Sequence, residues 1–272
     1  MFFANVDILF LILLGFVFKA GFFGVFLVLF GFDFSCSNAI SNTHKPLGFI
    51  FCLLELPTRW EGCFIVFSIL NLCSFTNISI KKVLKSIDEK IPKHLLENVD
   101  AIYIGDFDFF KDRNIQAMYE NSSIFVTNKQ DDEGDMADDI VHEIAHSIEE
   151  MHRDIIYSDG ELEKEFLGKR KYLYSLLKAE EVPVSLIDFM EPAYKKEFDE
   201  YLYQVVGYPM LNMLGSSIFY SPYAATSLRE YFANGFEALY YFDDYEFIRT
   251  SCPKLFKKLS DLMEEQSGAL HY

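Results

Sequence analysis

The sequence predicts a mainly helical α+β domain preceded by a hydrophobic N-terminal segment. After position 80, apolar residues recur mostly at helical spacing, and only two short runs of β-branched and aromatic residues predict strands. Charge is also unevenly distributed: residues 1–80 hold three basic and four acidic side chains, although the whole chain carries a net charge of -17. We therefore divide the chain into a hydrophobic segment, residues 1–78, and a polar domain, residues 79–272.

The hydrophobic segment contains one run that is long enough to cross a membrane as a helix. Residues 8–30 carry a single charge, Lys19. Asp7, rather than a basic cluster, precedes this run, which disfavours a cleavable signal peptide. More basic residues follow the run than precede it, which favours a cytoplasmic location for the polar domain. The alternative is that residues 1–78 are translated upstream sequence, since thymine-rich codons encode such a composition, and that the working protein is soluble.

Charge and cysteine content exclude several classes of protein. The chain has 41 acidic and 24 basic residues, so its surface repels phosphate backbones and we expect no nucleic-acid partner. The five cysteines show no CxxC spacing, which argues against a zinc ribbon and against a disulfide framework.

The polar domain begins with a helix and two strands. Apolar residues at helical spacing predict a helix over residues 80–91, which Pro92 ends. The runs AIYIG (101–105) and SIFVT (123–127) predict strands. An amphipathic pattern then predicts a helix over residues 134–152, with Asp135 as its N-cap. Further helices are predicted over residues 162–179, 194–206, 228–241 and 245–263, the last restarting at Pro253.

The predicted helix over residues 134–152 carries the motif His142-Glu143-Ile144-Ala145-His146. This HExxH spacing places two imidazoles one turn apart on the same face, beside a carboxylate, which is the arrangement that a tetrahedral zinc ion requires. The helix also has an apolar stripe, so we expect the histidines to border a core. The alternative is a solvated acidic helix with two incidental histidines.

Catalytic zinc generally has three protein ligands, so the motif requires one more. No third histidine follows at the spacing of the metzincins. On the predicted helix over residues 228–241, Glu230, Asn234 and Glu237 share one face. Glu230 is the candidate ligand, and Asn234 or Glu237 is expected to orient a ligand histidine.

The two motifs together resemble a known family. The segment Glu230-Tyr-Phe-Ala-Asn-Gly-Phe, the HExxH helix and Tyr223 resemble the catalytic domain of anthrax-toxin lethal factor and its relatives, including Pro-Pro endopeptidases. The resemblance covers residues 95–250 and is tight only at these motifs. It implies a zincin-like fold of the gluzincin type, with Glu230 as the third zinc ligand and Tyr223 assisting the oxyanion. The chain departs from the family at Asn234, where lethal factor has an acidic residue, and in the longer stretch between His146 and Glu230.

These residues predict a zinc-dependent endopeptidase with one Zn²⁺ held by His142, His146 and Glu230. Glu143 is the expected general base, and a peptide or protein is the expected substrate. We also predict that the strand containing Ile124, Phe125 and Val126 is an edge strand that pairs with an extended substrate. The alternative function is a membrane-anchored protein that binds peptides on an inactive protease fold.

Overall fold

The computed structural model describes residues 66–70, 78–113 and 115–268 of the 272-residue chain, with a small sheet beside a larger group of helices. The predicted mainly helical α+β class is confirmed. The sheet has four strands in the order β1-β2-β4-β3. The pairs β1–β2 and β2–β4 are parallel, whereas β3–β4 is antiparallel. The strands are β1 (Val66–Leu70), β2 (Ala101–Gly105), β3 (Ala117–Glu120) and β4 (Ser123–Thr127).

Both predicted strands are present, but the predicted edge strand is not at an edge. β4 lies between β2 and β3, so its backbone is already paired on both sides. Ile124 and Val126 are fully buried, and Phe125 stacks on Tyr103 of β2. The prediction that Ile124, Phe125 and Val126 pair with a substrate is therefore wrong. Among the described residues the strands at the two edges of this sheet are β1 and β3, and it is β3, not predicted from the sequence, that lies beside β4 at its edge.

A tight hairpin turn explains the position of β3. Asn121 and Ser122 join β3 to β4, and both have positive φ angles, 51° and 57°. Two consecutive residues with positive φ form the type of two-residue turn whose twist matches an antiparallel hairpin. The turn thus folds β3 back along β4 as an outer strand.

Helices make up most of the remaining described chain. They are α1 (Ile80–Lys90), α2 (Asp108–Arg113), α3 (Glu133–Met151), α4 (Arg153–Tyr157), α5 (Glu161–Ala179), α6 (Leu186–Phe189), α7 (Lys196–Tyr201), α8 (Tyr208–Gly215), α9 (Leu228–Phe236), α10 (Tyr245–Ser251) and α11 (Pro253–Gly268). Single π-helical turns extend α7 over Leu202–Val206 and α9 over Glu237–Tyr241.

Helix α3 lies in the middle of the domain. It contacts α1, α9 and the sheet strands β3 and β4. Its apolar stripe is fully buried, with Met136, Ile140 and Ile144 at most 1% exposed. The helix begins one residue before its predicted start, and the predicted N-cap is wrong. Asp132 caps it, because the Asp132 carboxylate accepts hydrogen bonds from the N–H groups of Gly134 (2.7 Å) and Asp135 (3.0 Å).

Helix α9 packs closely against both α3 and α11. Gly235 permits this approach, because a Cβ atom at this position would lie 2.2 Å from the side chain of buried Leu255. Ser227 caps the helix by accepting a hydrogen bond from the Glu230 N–H at 3.2 Å. The cap fixes the start of α9, and with it the position of Glu230, against α3.

The predicted membrane span, residues 8–30, lies outside the described residues. Among the helices that the structure does describe, none combines the length and the apolar composition that crossing a membrane requires.

Candidate metal centre

His142 and His146 on α3 face Glu230 on α9. One ligand atom from each of the three side chains lies within 4.8 Å of the others. Glu230 Oε2 is 2.9 Å from His142 Nε2 and 3.6 Å from His146 Nε2. The three side chains are at least four-fifths buried. This group can hold a metal ion.

The charges of the group also suit a cation. Although burial opposes the ionised form of Glu230, hydrogen bonds from the two imidazoles hold the pKa of this carboxyl well below its ordinary value. Hydrogen bonds to Glu230 and Glu237 overcome the effect of burial on His142 and raise the pKa of its imidazole well above 6.5. Carboxylates therefore stabilise positive charge at this point, and a divalent cation would replace the imidazole protons.

Glu143 lies beside the histidines and accepts a hydrogen bond from the edge strand. Its Oε2 atom is 2.6 Å from the backbone nitrogen of Tyr119 in β3. The side chain is buried, and burial raises the pKa of its carboxyl, opposed by the neighbouring imidazoles and by the Tyr119 N–H. A carboxylate whose pKa is raised binds a proton more readily than an exposed one, which suits a group that must accept and then release a proton.

Glu237 supports His142 from the side opposite to Glu230. A Glu237 oxygen forms a short hydrogen bond with His142 Nδ1, while His142 Nε2 faces Glu230. Glu237 begins the π-helical turn that continues α9. Of the two residues expected to orient a ligand histidine, Glu237 makes this contact.

Asn234 has a different role. It is 4% exposed and its side-chain oxygen accepts a short hydrogen bond from the Ser221 hydroxyl. Ser221 also accepts a hydrogen bond from the Ala224 N–H at 3.3 Å, and so fixes the turn Tyr223–Ala225. Asn234 therefore anchors the turn that carries Tyr223.

Tyr223 lies on the His142 side of the centre. The centroids of its ring and the His142 ring are 6.1 Å apart. Burial raises the pKa of the Tyr223 phenol, and the negative charge of Glu230 adds to this effect. The hydroxyl therefore stays protonated and remains a hydrogen-bond donor throughout the neutral pH range.

His146 is supported by residues that the sequence analysis missed. Its Nδ1 atom is 3.3 Å from Glu149 Oε2 and 2.9 Å from Arg229 Nε. Glu149 also pairs with Arg229 at 3.1 Å and accepts a hydrogen bond from the Tyr157 hydroxyl at 2.9 Å. Two sequence signals could have indicated this group: Glu149 is three residues after His146 on one helix, and Arg229 directly precedes Glu230.

Two cavities open on either side of the centre. A cavity of about 780 Å³ is lined by His142, Glu143 and Tyr223, and we call it the His142-side cavity. A cavity of about 600 Å³ is lined by His146 and Arg229, and we call it the His146-side cavity. The strand β3 lines both cavities, with Ala117 in the first and Tyr119 in the second.

The long stretch between His146 and Glu230 contributes walls to both cavities. Tyr194, in the loop between α6 and α7, lines both of them. Its hydroxyl donates a hydrogen bond of 2.9 Å to Asp199. The buried guanidinium of Arg170 holds the same loop through hydrogen bonds to the carbonyls of Asp188 and Glu191, each 2.6 Å. The inserted segment is therefore a part of the cleft.

Comparisons of the chain with protein-family models, with curated proteins and with solved structures find no match.

Proposed function

We propose that this protein is a zinc-dependent endopeptidase with a zincin-like domain of the gluzincin type. The observation that carries the proposal is the convergence of His142, His146 and Glu230 beside the carboxylate of Glu143. Two histidines and one glutamate, with an adjacent free glutamate at the mouth of a cleft, are the donor set and base of zinc proteases that activate water.

The donor set favours zinc over other metals. Two imidazole nitrogens and one carboxylate suit a borderline-soft ion, whereas magnesium and calcium prefer oxygen ligands. A zinc ion held by His142, His146 and Glu230 would supply Lewis acidity, lowering the pKa of a bound water towards about 7.

Glu143 is the proposed general base. It borders the His142-side cavity, and the Tyr119 N–H fixes the position of its Oε2 atom. The carboxylate takes a proton from the attacking water and delivers it to the leaving amine. Tyr223 donates a hydrogen bond to the oxygen on which negative charge develops, because its phenol is neutral and lines the same cavity.

The edge strand β3 is the proposed backbone partner of the substrate. It borders both cavities and has β4 on one side only within the described part of the chain. An extended peptide crossing from one cavity to the other would pass along this edge and pair with backbone groups of β3 other than the Tyr119 N–H, which is bonded to Glu143. Methylating backbone nitrogens of a substrate peptide one at a time should raise KM at the paired positions, and uniform KM values would contradict the pairing.

The alternative is a peptide-binding protein on an inactive protease fold. Metal analysis and cleavage of an unbiased peptide library separate the two functions. We expect one zinc per chain and cleavage that a chelator abolishes. The variant Glu143→Gln should retain zinc and lose about 10²–10⁴-fold in kcat, because only the base is removed. Glu246→Gln, which alters an exposed residue paired with Arg249, is the matched control. Peptide binding without cleavage by the zinc-loaded wild type would favour the alternative.

Attachment to a membrane through residues 8–30 is a separate proposal, supported only by the length and apolar character of that run. Fractionation of cells, with an antibody against the polar domain, tests it. A full-length product in the membrane fraction supports the anchor, and a shorter soluble product contradicts it.

A further inference from the structure

The support of His146 differs from that of His142 and involves a group of three other side chains. Glu149 Oε2 faces His146 Nδ1 at 3.3 Å, while Glu149 Oε1 accepts a hydrogen bond from the Tyr157 hydroxyl at 2.9 Å. Arg229 Nε lies 3.1 Å from Glu149 Oε2. Both oxygens of this carboxylate are thus held by donors from two other helices, α4 and α9. Its side chain is 16% exposed.

The contact between Glu149 and His146 Nδ1 would orient the ring if His146 binds a metal through Nε2. The Nδ1 atom must then carry the proton of the neutral ring, and that proton needs an acceptor. A carboxylate in this position fixes the rotation of the ring and raises the basicity of the ligating nitrogen. Glu149 is the acceptor that the structure offers to Nδ1.

We propose that Glu149 is a positioning residue for His146, and that Tyr157 and Arg229 hold its carboxylate in place. The inference rests on the proposed function, since it assumes that His146 is a metal ligand. Glu149 would orient His146 as Glu237 orients His142.

The position of Arg229 allows two hydrogen-bond arrangements among His146, Glu149 and Arg229. Its Nε–H lies within hydrogen-bond distance of both His146 Nδ1 (2.9 Å) and Glu149 (3.1 Å). When Nδ1 lacks a proton, it accepts from Arg229. When Nδ1 is protonated, it donates to Glu149, and the Arg229 N–H can donate only to the carboxylate. If Nε2 held a metal, Glu149 would therefore accept from both His146 Nδ1 and Arg229.

Zinc affinity, measured by competition with a chromophoric chelator, tests the proposal. Glu149→Ala should weaken zinc binding by about 10–100-fold, because Nδ1–H loses its acceptor. Glu149→Gln should recover part of this loss, since its amide oxygen still accepts a hydrogen bond. Tyr157→Phe, which removes a single hydroxyl, should weaken binding by less than Glu149→Ala. The visible absorption of the Co²⁺-loaded protein should shift in the same order.

Asp154→Asn is the matched control, because Asp154 is exposed on α4 and does not line either cavity. Zinc affinity and Co²⁺ absorption of Glu149→Ala equal to those of the wild type would overturn the proposal. If Glu149→Ala does not fold, Tyr157→Phe decides, and an unchanged zinc affinity in that variant overturns it. Other results bear on the proposed function. A wild-type protein that binds no zinc would contradict both the proposed protease function and the proposed role of Glu149. A wild-type protein that binds zinc but cleaves no peptide would contradict only the protease function.

Discussion

The two imidazoles of the centre are held in different ways. His146 faces Glu149, which is three residues further along the same helix, whereas His142 faces Glu237, which is 95 residues away in the chain. The contact between His146 and Glu149 can form once α3 is helical, whereas Arg229 and Tyr157, which hold Glu149, come from other helices. The His142 support requires that α9 and its π-helical turn dock on α3.

The carboxylate that faces His146 is therefore local in the chain, whereas the one that faces His142 reaches it only when two helices pack together. Glu230 contacts both imidazoles and is carried by the helix that must dock. A metal ion held by both helices would therefore stabilise the docked arrangement of α3 and α9, because it would bind the folded state and favour it by mass action. Five substitutions, in four experiments, test this difference and its consequences.

The largest effect is expected for Glu230→Ala, which removes the residue that contacts both imidazoles. Zinc retained after dialysis should fall from one ion per chain to nearly none, because two imidazoles alone leave a catalytic site one protein ligand short. Activity should be lost with it. Elemental analysis measures the metal, and Glu246→Ala on an exposed surface is the control. Full zinc occupancy in Glu230→Ala would remove Glu230 from the ligand set.

The second effect concerns chemistry on the His142 side. Tyr223→Phe should lower kcat by about 10²–10³-fold, because it removes one hydrogen-bond donor to the developing negative charge. Zinc content and KM should stay close to those of the wild type. Steady-state kinetics with a cleaved peptide measure the change. A fall in zinc content equal to the fall in kcat would instead indicate that the turn carrying Tyr223 supports the metal site.

The third effect separates the roles of Asn234 and Glu237. Glu237→Ala should weaken zinc binding by about 10–100-fold, since His142 loses the acceptor that orients it. Asn234→Ala breaks the contact with Ser221 and leaves Glu237 in place. It should therefore lower kcat through Tyr223 more than it lowers zinc affinity. Equal losses of zinc affinity in the two variants would contradict this separation.

The smallest effect is a change in the pH dependence of stability. Asp138 lines the His142-side cavity, and burial, together with the charges of Glu237 and Asp139, raises the pKa of its carboxyl from 3.8 to about 7. The folded state therefore binds this proton more tightly than the unfolded state, and Asp138 lowers the free energy of unfolding as the pH rises from about 4 to about 7.

Asp138→Asn should remove this decrease in the free energy of unfolding in the metal-free protein. We expect a gain of about 1 kcal/mol in the free energy of unfolding at pH 8, after allowing for solvent screening, and almost none at pH 4. Denaturant unfolding in the presence of a chelator, at both pH values, measures the difference. The exposed Asp154→Asn is the control, and an equal gain at both pH values would show that charge is not the cause.

Much of the fold was predictable from short-range patterns. The residues 101–105 and 123–127 are strands, because β-branched and aromatic runs bounded by turn residues suit a pleated, buried surface. Helix α3 was predictable because its apolar stripe repeats at helical spacing. β3 was missed since its four residues are only partly buried, and its position depends on the Asn121-Ser122 turn.

The sequence alone predicts that two imidazoles share one helical face with a carboxylate beside them, because helix geometry places residues four apart on the same side. It also indicated Glu230, through a second helix with an acidic face. Only the tertiary structure decided that Glu237, and not Asn234, meets His142, that β4 is internal, and that Arg229 and Tyr157 meet at Glu149. The physical reason is that these contacts join segments far apart in the chain, and their geometry depends on how helices and strands pack.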